Sequence, residues 1–254
     1  MLLRRAWNVF GLTTVSVLLG LLVWQIAGAS FPALIPSVTS VVQTFVETLR
    51  NGQLITNITA SLSRIVEGFF SALVLSTILG FLIGWYEMPR KLVDPWVQFF
   101  RMIPPIALLP LVVVYLGVGQ MAQVFVIFFS AFLVMLITIF QGVQQVDNTL
   151  IRAARVLGCN DFNLFFRVIL PSTVPHIFTA ARIGISAAWT ALVAAELIAA
   201  SHGLGFMIEQ ASQFFEMPQV YLGIVVIGIL GLIMDRIVLL LQRKLTAWQD
   251  RALV

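Results

Sequence analysis

The stretch MAQVFVIFFSAFLVMLITIFQG, residues 121–142, contains no charged residue. A helix needs about 20 apolar residues to cross the hydrocarbon core of a bilayer, so this stretch is long enough to span one. The rest of the chain is similar, since 60% of its 254 residues are hydrophobic, 10% are charged and the mean hydropathy is +1.01. Soluble domains average about 25% charged residues. The composition therefore indicates a membrane protein.

Dividing the apolar runs at glycine, proline and charged positions predicts an all-α bundle in one domain, 1–254. Its six spans lie near residues 8–28, 63–86, 96–117, 121–142, 176–199 and 219–241. Only Gly117-Val118-Gly119-Gln120 separates the third span from the fourth, which predicts a tight turn between antiparallel helices. The N-terminus resembles a cleavable signal peptide, but its apolar run of nearly twenty residues exceeds the usual ~7–15, so we expect a retained helix.

Lysine and arginine concentrate on one side of this predicted bundle. Only Arg50 and Arg64 fall on the outer side, and Arg182 lies within the fifth span. Because cytoplasmic loops carry the excess of basic residues, we expect both termini to be cytoplasmic. The other twelve of the fifteen basic residues share the side of the N-terminus: Arg4, Arg5, Arg90, Lys91, Arg101, Arg152, Arg155, Arg167, Arg236, Arg243, Lys244 and Arg251.

Local signals add detail to the predicted spans. Apolar residues at helical spacing after Pro36-Ser37 predict a short amphipathic helix. Asp94 and Pro95 suit the N-cap and first position of the third span. Pro104, Pro105 and Pro110 then predict a kink, which is tolerated at membrane depth only inside protein or beside water.

Small residues and the inventory of reactive groups constrain the function. The G-x-x-x-G pair Gly80 and Gly84 predicts close helix packing. The single cysteine, Cys159, cannot form an internal disulfide, and no His/Cys cluster has the spacing of metal ligands. The chain contains no G-x-x-x-x-G-K-[ST] loop, H-E-x-x-H motif or paired-carboxylate site. We therefore expect neither an enzyme nor an ATP-binding chain.

The segment RAARVLGCNDFNLFFRVILP, residues 152–171, is unusually basic for this chain. Leu150, Ala153, Ala154 and Leu157 share one face of a helix that Gly158 is placed to end. Asn160 or Asp161 can cap a second short helix carrying Phe162, Phe165, Phe166 and Ile169, which we expect Pro171 to stop. The sequence thus predicts two short helices that project into the cytoplasm, within a loop of about residues 145–173.

Three interpretations of this loop compete. A DNA-binding helix-turn-helix has this outline, but membrane spans tether the segment at both ends. An interfacial basic loop could contact anionic lipid. A docking element could place its small-residue face in the groove of a cytoplasmic partner, with charges at the rim.

Several motifs in the same order resemble one known family. Ala153-Ala154, Gly158 and Ile169-Leu170-Pro171 are similar to the cytoplasmic EAA loop of ABC-importer permeases. Together with the motifs that follow, from about Ala33 to Trp248, they resemble the permeases of nitrate, sulfonate, taurine and bicarbonate importers. These motifs are SLSRIVEGF, DPWVQFFRMIPPIALLPL, GVGQ, AARVLG, RVILPSTVPHI, AARIGISAAWTALVAAE and HGLGFMI. The chain departs from the pattern at Arg152, where the family has its glutamate, and at Gln120, where relatives often have an acid.

The resemblance implies a type I importer fold in a bacterial inner membrane. It implies a pair of permease copies, cytoplasmic ATPase subunits that bind ATP and magnesium in place of this chain, and an external solute-binding protein. It assigns the contact with the ATPase to Ala153, Ala154, Gly158, Asp161, Leu170 and Pro171. The solute is expected to be a small oxyanion such as nitrate, a sulfonate, taurine or bicarbonate. Other relatives import aromatic heterocycles, and the sequence leaves this alternative open.

Charged residues inside spans suggest a route for the solute. Arg182, Trp189 and Glu196 recur at intervals of seven, so they lie near one face of the fifth helix and span about 21 Å at 1.5 Å per residue. We expect this face, together with Arg101, to line the path, with Trp189 narrowing its middle; alternatively, Arg182 and Glu196 only reach toward the two surfaces. A secondary transporter or channel without an ATPase is the alternative function, because hydropathy alone fits it equally well.

Overall fold

The computed structural model describes residues 2–31 and 34–246, and every regular element among them is a helix. Their α-helices are α1 (Leu2–Ser30), α2 (Val38–Arg50), α3 (Gln53–Trp85), α4 (Glu87–Phe100), α5 (Leu109–Leu116), α6 (Gln120–Gln144), α7 (Asn148–Val156), α8 (Asp161–Leu164), α9 (Leu170–Ala199), α10 (Leu204–Gln213) and α11 (Met217–Leu245). A 3-10 turn, Pro105–Leu108, precedes α5, and a π turn, Phe165–Ile169, joins α8 to α9.

Four long apolar helices among the described residues can cross a membrane. These are α3, α6, the continuous run Asp161–Ile198 and α11, and they coincide with the second, fourth, fifth and sixth predicted spans. The first predicted span falls on α1, whose apolar part Thr14–Ser30 is shorter. The helical part of the expected fold is therefore confirmed, with four or five candidate spans by length and composition.

The third predicted span is a broken helix, not a kinked one. Its two parts, Glu87–Phe100 and Pro105–Leu116, meet at 89°. Pro104 and Pro105 lack the N–H groups that would continue the helix, and their rings crowd the preceding turn, so the chain changes direction here. The predicted tight turn follows α5, with Gly117 at φ +79° in the left-handed region.

The predicted start of this span was wrong. Asp94 and Pro95 do not begin a helix, because α4 begins at Glu87, directly after the extended Tyr86, and Pro95 lies in its interior. Asp94 Oδ1 instead accepts a hydrogen bond from the side chain of Gln98, at 3.4 Å. An N-cap signal in the sequence is overridden here by the end of α3 nine residues before Asp94, which already sets the chain in a new direction.

The core of the bundle lies where α3, α6 and α9 pack on one another. Ile65, Ile127, Met135 and Leu192 have no or almost no exposed surface there. The G-x-x-x-G prediction is confirmed, since a Cβ on Gly80 or Gly84 would lie 2.7 or 2.6 Å from side-chain atoms of Ile139 or Val143 on α6. Such close approach supplies the van der Waals contact that holds helices together in lipid.

Candidate functional site

The segment between α6 and α9 forms the two-helix projection that the sequence predicts. The Asp147 side chain caps α7 by accepting from the Thr149 N–H at 2.7 Å, and this bond holds the pKa of the Asp147 carboxyl below its usual value. The Asn160 side chain caps α8 by accepting from the Asn163 N–H at 2.8 Å. Each cap satisfies a backbone N–H that the first helical turn leaves unpaired.

Gly158 makes the reversal between the two helices. It has φ +82°, and it is flanked by hydrogen bonds from Gly158 N to Arg155 O and from Cys159 N to Ala154 O, both 3.0 Å. This is a Schellman motif, whose left-handed position favours glycine. Arg155 and Asp161 close the reversal with an exposed ion pair of 2.8 Å.

The projection has a buried face and an exposed apolar face. Ala154, Leu164 and Ile169 pack under the ends of α3 and α6, with the rings of Phe81 and Phe165 5.2 Å apart. On the other face, large apolar side chains are exposed. Val156 is 87% exposed and Leu157 84%, and Leu150, Phe162 and Phe166 are also exposed. An exposed apolar patch of this kind, rimmed by Arg152 and Arg155, is typical of a docking surface.

Pro171 does not stop the second helix, which corrects that expectation. In the π turn, the Leu170 N–H donates to Phe165 O, five residues back, and α9 continues through Leu170 and Pro171 in its first turn. A proline is tolerated at this position because the widened turn leaves it without an ordinary α-helical partner. The loop and the fifth span therefore form one continuous helical run.

The six residues expected to contact a partner lie on this projection, with different exposure. Ala153, Gly158 and Asp161 are exposed, Ala154 is buried, and Leu170 and Pro171 are partly buried at the start of α9. Their role in coupling stays a prediction.

Near the opposite end of α9, Glu196 is the centre of a buried polar network. Its side chain has no exposed surface, and its carboxylate accepts from Arg64 Nη1 at 2.6 Å, from Ser61 Oγ at 2.8 Å and from Gly205 N at 2.8 Å. Arg64 Nη1 also donates to the His202 carbonyl at 2.7 Å. The network ties α3, α9 and α10 together.

The sequence reasoning did not identify this network. Glu67, which lies on the same helix three residues after Arg64, accepts instead from the Gln120 side chain at 2.9 Å. Gly203 and Gly205 are the feature of the sequence that could have indicated this network. A Cβ on Gly203 would collide with the Glu196 carboxylate, and one on Gly205 would lie 2.7 Å from Glu196 Cβ, so both glycines make room for the acid.

The other candidate path residues lie apart from one another. Arg182 forms a two-bond ion pair with Asp235 on α11, at 2.7 and 3.2 Å. Trp189 is 6% exposed and its ring faces Gly231 of α11. Arg101 lies at the break between α4 and α5 and lines a cleft of about 400 Å³. The structure does not bring these residues to one point.

No group of three or more His, Cys, Asp or Glu side chains that could hold a metal ion occurs among the described residues. The Arg64–Glu196 and Arg182–Asp235 ion pairs instead join helices to one another.

A bundle of apolar helices of spanning length, with an exposed two-helix projection, is the architecture of a multi-pass membrane protein. Residues 72–247 match the family described as binding-protein-dependent transport system inner membrane component. The chain belongs to this family, and it is a multi-pass protein of the inner membrane. The family gives no support to a secondary transporter or channel.

Relatives agree with that assignment, and a solved structure has a similar fold. The chain is 46% identical to a probable ABC transporter permease of Brucella abortus, over 95% of this chain and 97% of the relative. It is 38% identical to the taurine transport permease TauC of Escherichia coli, over 76% of this chain and 70% of the relative. It is 36% identical to the bicarbonate transport permease CmpB of Synechocystis, over 75% of this chain and 68% of the relative. Its fold is similar to that of a chain of the inward-facing MetNI methionine ABC transporter, with a TM-score of 0.67 and 21% identity. The match covers 76% of this chain and 96% of the MetNI chain.

Proposed function

We propose that this chain is the membrane-spanning subunit of an ATP-driven importer that receives a small oxyanion from an external binding protein. Nitrate, sulfonates such as taurine, and bicarbonate are the candidate solutes. The proposal is supported by family membership and by relatives whose names specify taurine, aliphatic sulfonates and bicarbonate. These solutes have in common an anionic group with several oxygen atoms.

The observation that carries the ATP-driven mechanism is the exposed apolar face of the loop. Val156 and Leu157 at the tip of α7 are the type of side chain that a partner groove desolvates. The π turn joins this loop to α9 without a break, so a displacement of the loop is transmitted along the fifth span as along a lever. Closure of an ATPase pair on two such loops would alternate outward and inward access.

The assembly follows from the same proposal. Two copies of the chain form the path, both termini and the loop face the cytoplasm, and six spans cross the membrane, with α1 and the broken α4–α5 pair as two of them. ATP and its magnesium ion bind to separate cytoplasmic subunits. This chain supplies the motion and the path but no catalytic group.

The route along α9 remains part of this proposal. Trp189 and Glu196 are covered by α11 and by α3 with α10, and Arg182 is neutralised by Asp235. Trp189 and Glu196 therefore contact solute only after α9 moves away from its neighbours, whereas Arg182, whose side chain is 40% exposed, has to exchange Asp235 for the solute. Alternating access provides such a movement.

Gly158 offers a test with a matched control. Gly158 and Gly52 have nearly equal φ, +82° and +78°, and a Cβ at either position would meet no atom within 4 Å. Leucine therefore costs about the same backbone strain at both, of the order of 1–2 kcal/mol. Only at Gly158 does it add bulk to the docking surface.

The permease should be expressed with its cognate ATPase and binding protein and purified by a tag on the permease. We expect Gly158→Leu to reduce the co-purified ATPase and the ATP-driven uptake at least tenfold, and Gly52→Leu to leave both within about twofold. Equal retention of the ATPase in both variants would overturn the docking role of this loop. The solute is tested separately, by measuring the binding of nitrate, taurine and bicarbonate to the purified binding protein.

A further inference from the structure

We infer that the cleft at the break of the third span, beside Arg101, is a binding site for the anionic group of the transported solute. The inference deepens the proposed function and rests on its solute class. The cleft measures about 400 Å³ and lies between the α4–α5 break, at Arg101 and Pro105, and the side of α6 that carries Ser130, Val134 and Thr138. Sites of a few hundred Å³ suit small ligands.

Arg101 is exposed, but the cleft that it lines runs along the middle portion of a helix long enough to span a membrane. Helix α6 runs from Gln120 to Gln144. At 1.5 Å per residue, Ser130 lies about 15 Å from its first residue and Thr138 about 9 Å from its last. Arg101 lines the cleft beside this middle portion of a spanning helix. A charged side chain at such a depth is expensive in hydrocarbon and almost always faces protein or a water-filled cavity.

Arg101 also differs from the two arginines that form ion pairs between long helices. Arg64 and Arg182, which lie within long helices, each have a carboxylate partner, Glu196 and Asp235. Among the described residues, no carboxylate lies within ion-pair distance of Arg101. Arg90 and Lys91, at the start of α4, already provide basic residues near the cytoplasmic side. Since these two residues already supply the positive charge that orients the span, that role does not explain why Arg101 lies in the cleft.

The chemistry of the cleft suits an oxyanion. A guanidinium presents parallel N–H donors that match two oxygens of a sulfonate, carbonate or nitrate group. The hydroxyls of Ser130 and Thr138 now donate to the carbonyls of Ala187, at 3.2 Å, and Val134, at 2.9 Å. A hydroxyl can rotate, so each is able to turn its donor to a solute oxygen when one is present.

The position of Ser130 relates the site to the proposed movement of α9. Its hydroxyl joins α6 to the backbone of α9 through Ala187, in the helix that continues from the docking loop. A movement of α9 that breaks this bond frees the hydroxyl for the solute. The site is thus placed where motion of the loop and occupation by an anion can influence each other.

Uptake by the complete complex in proteoliposomes tests the inference, with radiolabelled taurine and bicarbonate as probes. We expect Arg101→Gln to lower uptake at least tenfold, while binding-protein-stimulated ATP hydrolysis stays within about threefold of wild type. Arg101→Lys, which keeps the charge but loses the forked geometry, should be intermediate. Arg243→Gln, which removes an exposed charge from the end of α11, should match wild type.

Two outcomes overturn the inference in different ways. If wild type imports a probe and Arg101→Gln imports it equally well, the inference fails and the proposed function stands. If wild type imports neither probe and its binding protein proves to carry a solute without an anionic group, the proposed solute class is wrong, and the inference falls with it.

A second measurement separates charge from folding, in case Arg101→Gln assembles poorly. Arg101→Cys is prepared in a Cys159→Ser background, whose own uptake sets the reference. A methanethiosulfonate reagent that attaches an ammonium group should restore at least a third of the reference uptake, and one that attaches a sulfonate should not. Equal results with both reagents, or no modification of the cysteine by either, would show that no water-accessible anion site exists here.

Discussion

At the residue scale, the ion pair of Glu196 and Arg64 has the least exposure to solvent of the four in the described chain. The two side chains are 0% and 9% exposed, whereas those of Lys91 and Glu87 are 70% and 67% exposed. Breaking a buried pair leaves an uncompensated charge, which typically costs about 3–5 kcal/mol. An exposed pair contributes about 0–1 kcal/mol.

We therefore predict that Glu196→Gln lowers the apparent melting temperature of the detergent-purified protein by many degrees, and that Lys91→Gln changes it little. The double variant Glu196→Gln with Arg64→Gln should recover part of the loss, because no unpaired charge remains. Thermal unfolding followed by size-exclusion chromatography measures all three. If Glu196→Gln were as stable as wild type, the ion pair would not hold α3, α9 and α10 together.

Gly80 allows a second prediction at the same scale. A Cβ at Gly80 would lie 2.7 Å from Cγ2 of Ile139, a β-branched side chain with no exposed surface, whereas a Cβ at Gly228 would meet nothing within 4 Å. We expect Gly80→Ala to destabilise the protein by about 1–3 kcal/mol through overpacking. Gly228→Ala should be neutral or stabilising by up to about 1 kcal/mol, because alanine favours the helix. Similar melting temperatures for the two variants would contradict the close contact of α3 with α6.

At the element scale, the caps of α7 and α8, Asp147 and Asn160, decide how rigid the segment between α6 and α9 is. The lowered pKa of the Asp147 carboxyl means that its stabilising effect is complete above the ordinary carboxyl pKa and is lost only as the pH falls through the lowered value. The cap is therefore fully charged at neutral pH, and a fall of one unit below neutral pH should not weaken it.

Trypsin sensitivity tests this cap, because Arg152 and Arg155 are cleavage sites within α7. We predict that Asp147→Ala frays the first turn of α7 and increases the rate of cleavage at these arginines severalfold at pH 7.5. Asp147→Asn retains a side-chain oxygen acceptor and should resemble wild type. If the alanine variant is cleaved no faster than the asparagine variant, the cap does not order the loop.

Element boundaries also show how far the sequence could predict the fold. The helix start after Pro36-Ser37 and the reversal at Gly158 depend on neighbouring residues alone, and the sequence predicts them correctly. For the second short helix it offers Asn160 or Asp161 as the cap, and the structure shows Asn160. The effect of Pro171 depends on whether the preceding turn widens to a π turn, which no local pattern specifies. The 89° break likewise follows from prolines that indicate a disturbance but not its angle.

At the scale of the whole molecule, contacts between distant residues were the part that the sequence could not supply. Glu196 and Arg64 are 132 positions apart, and Arg182 and Asp235 are 53 apart. Spacing along one helix suggested a shared face for Arg182, Trp189 and Glu196, but it gave no information on which helices cover that face. The class of protein, by contrast, followed from apolar length and one ordered set of motifs.

The central claim is that this chain moves solute only when an ATPase drives its cytoplasmic loop. Uptake into proteoliposomes that contain the permease, the cognate ATPase and the external binding protein tests it most directly, with taurine, nitrate and bicarbonate as probes. We predict accumulation of at least one probe that requires ATP and all three proteins and that is lost with Gly158→Leu. Accumulation driven by an ion gradient with the permease alone would contradict the account.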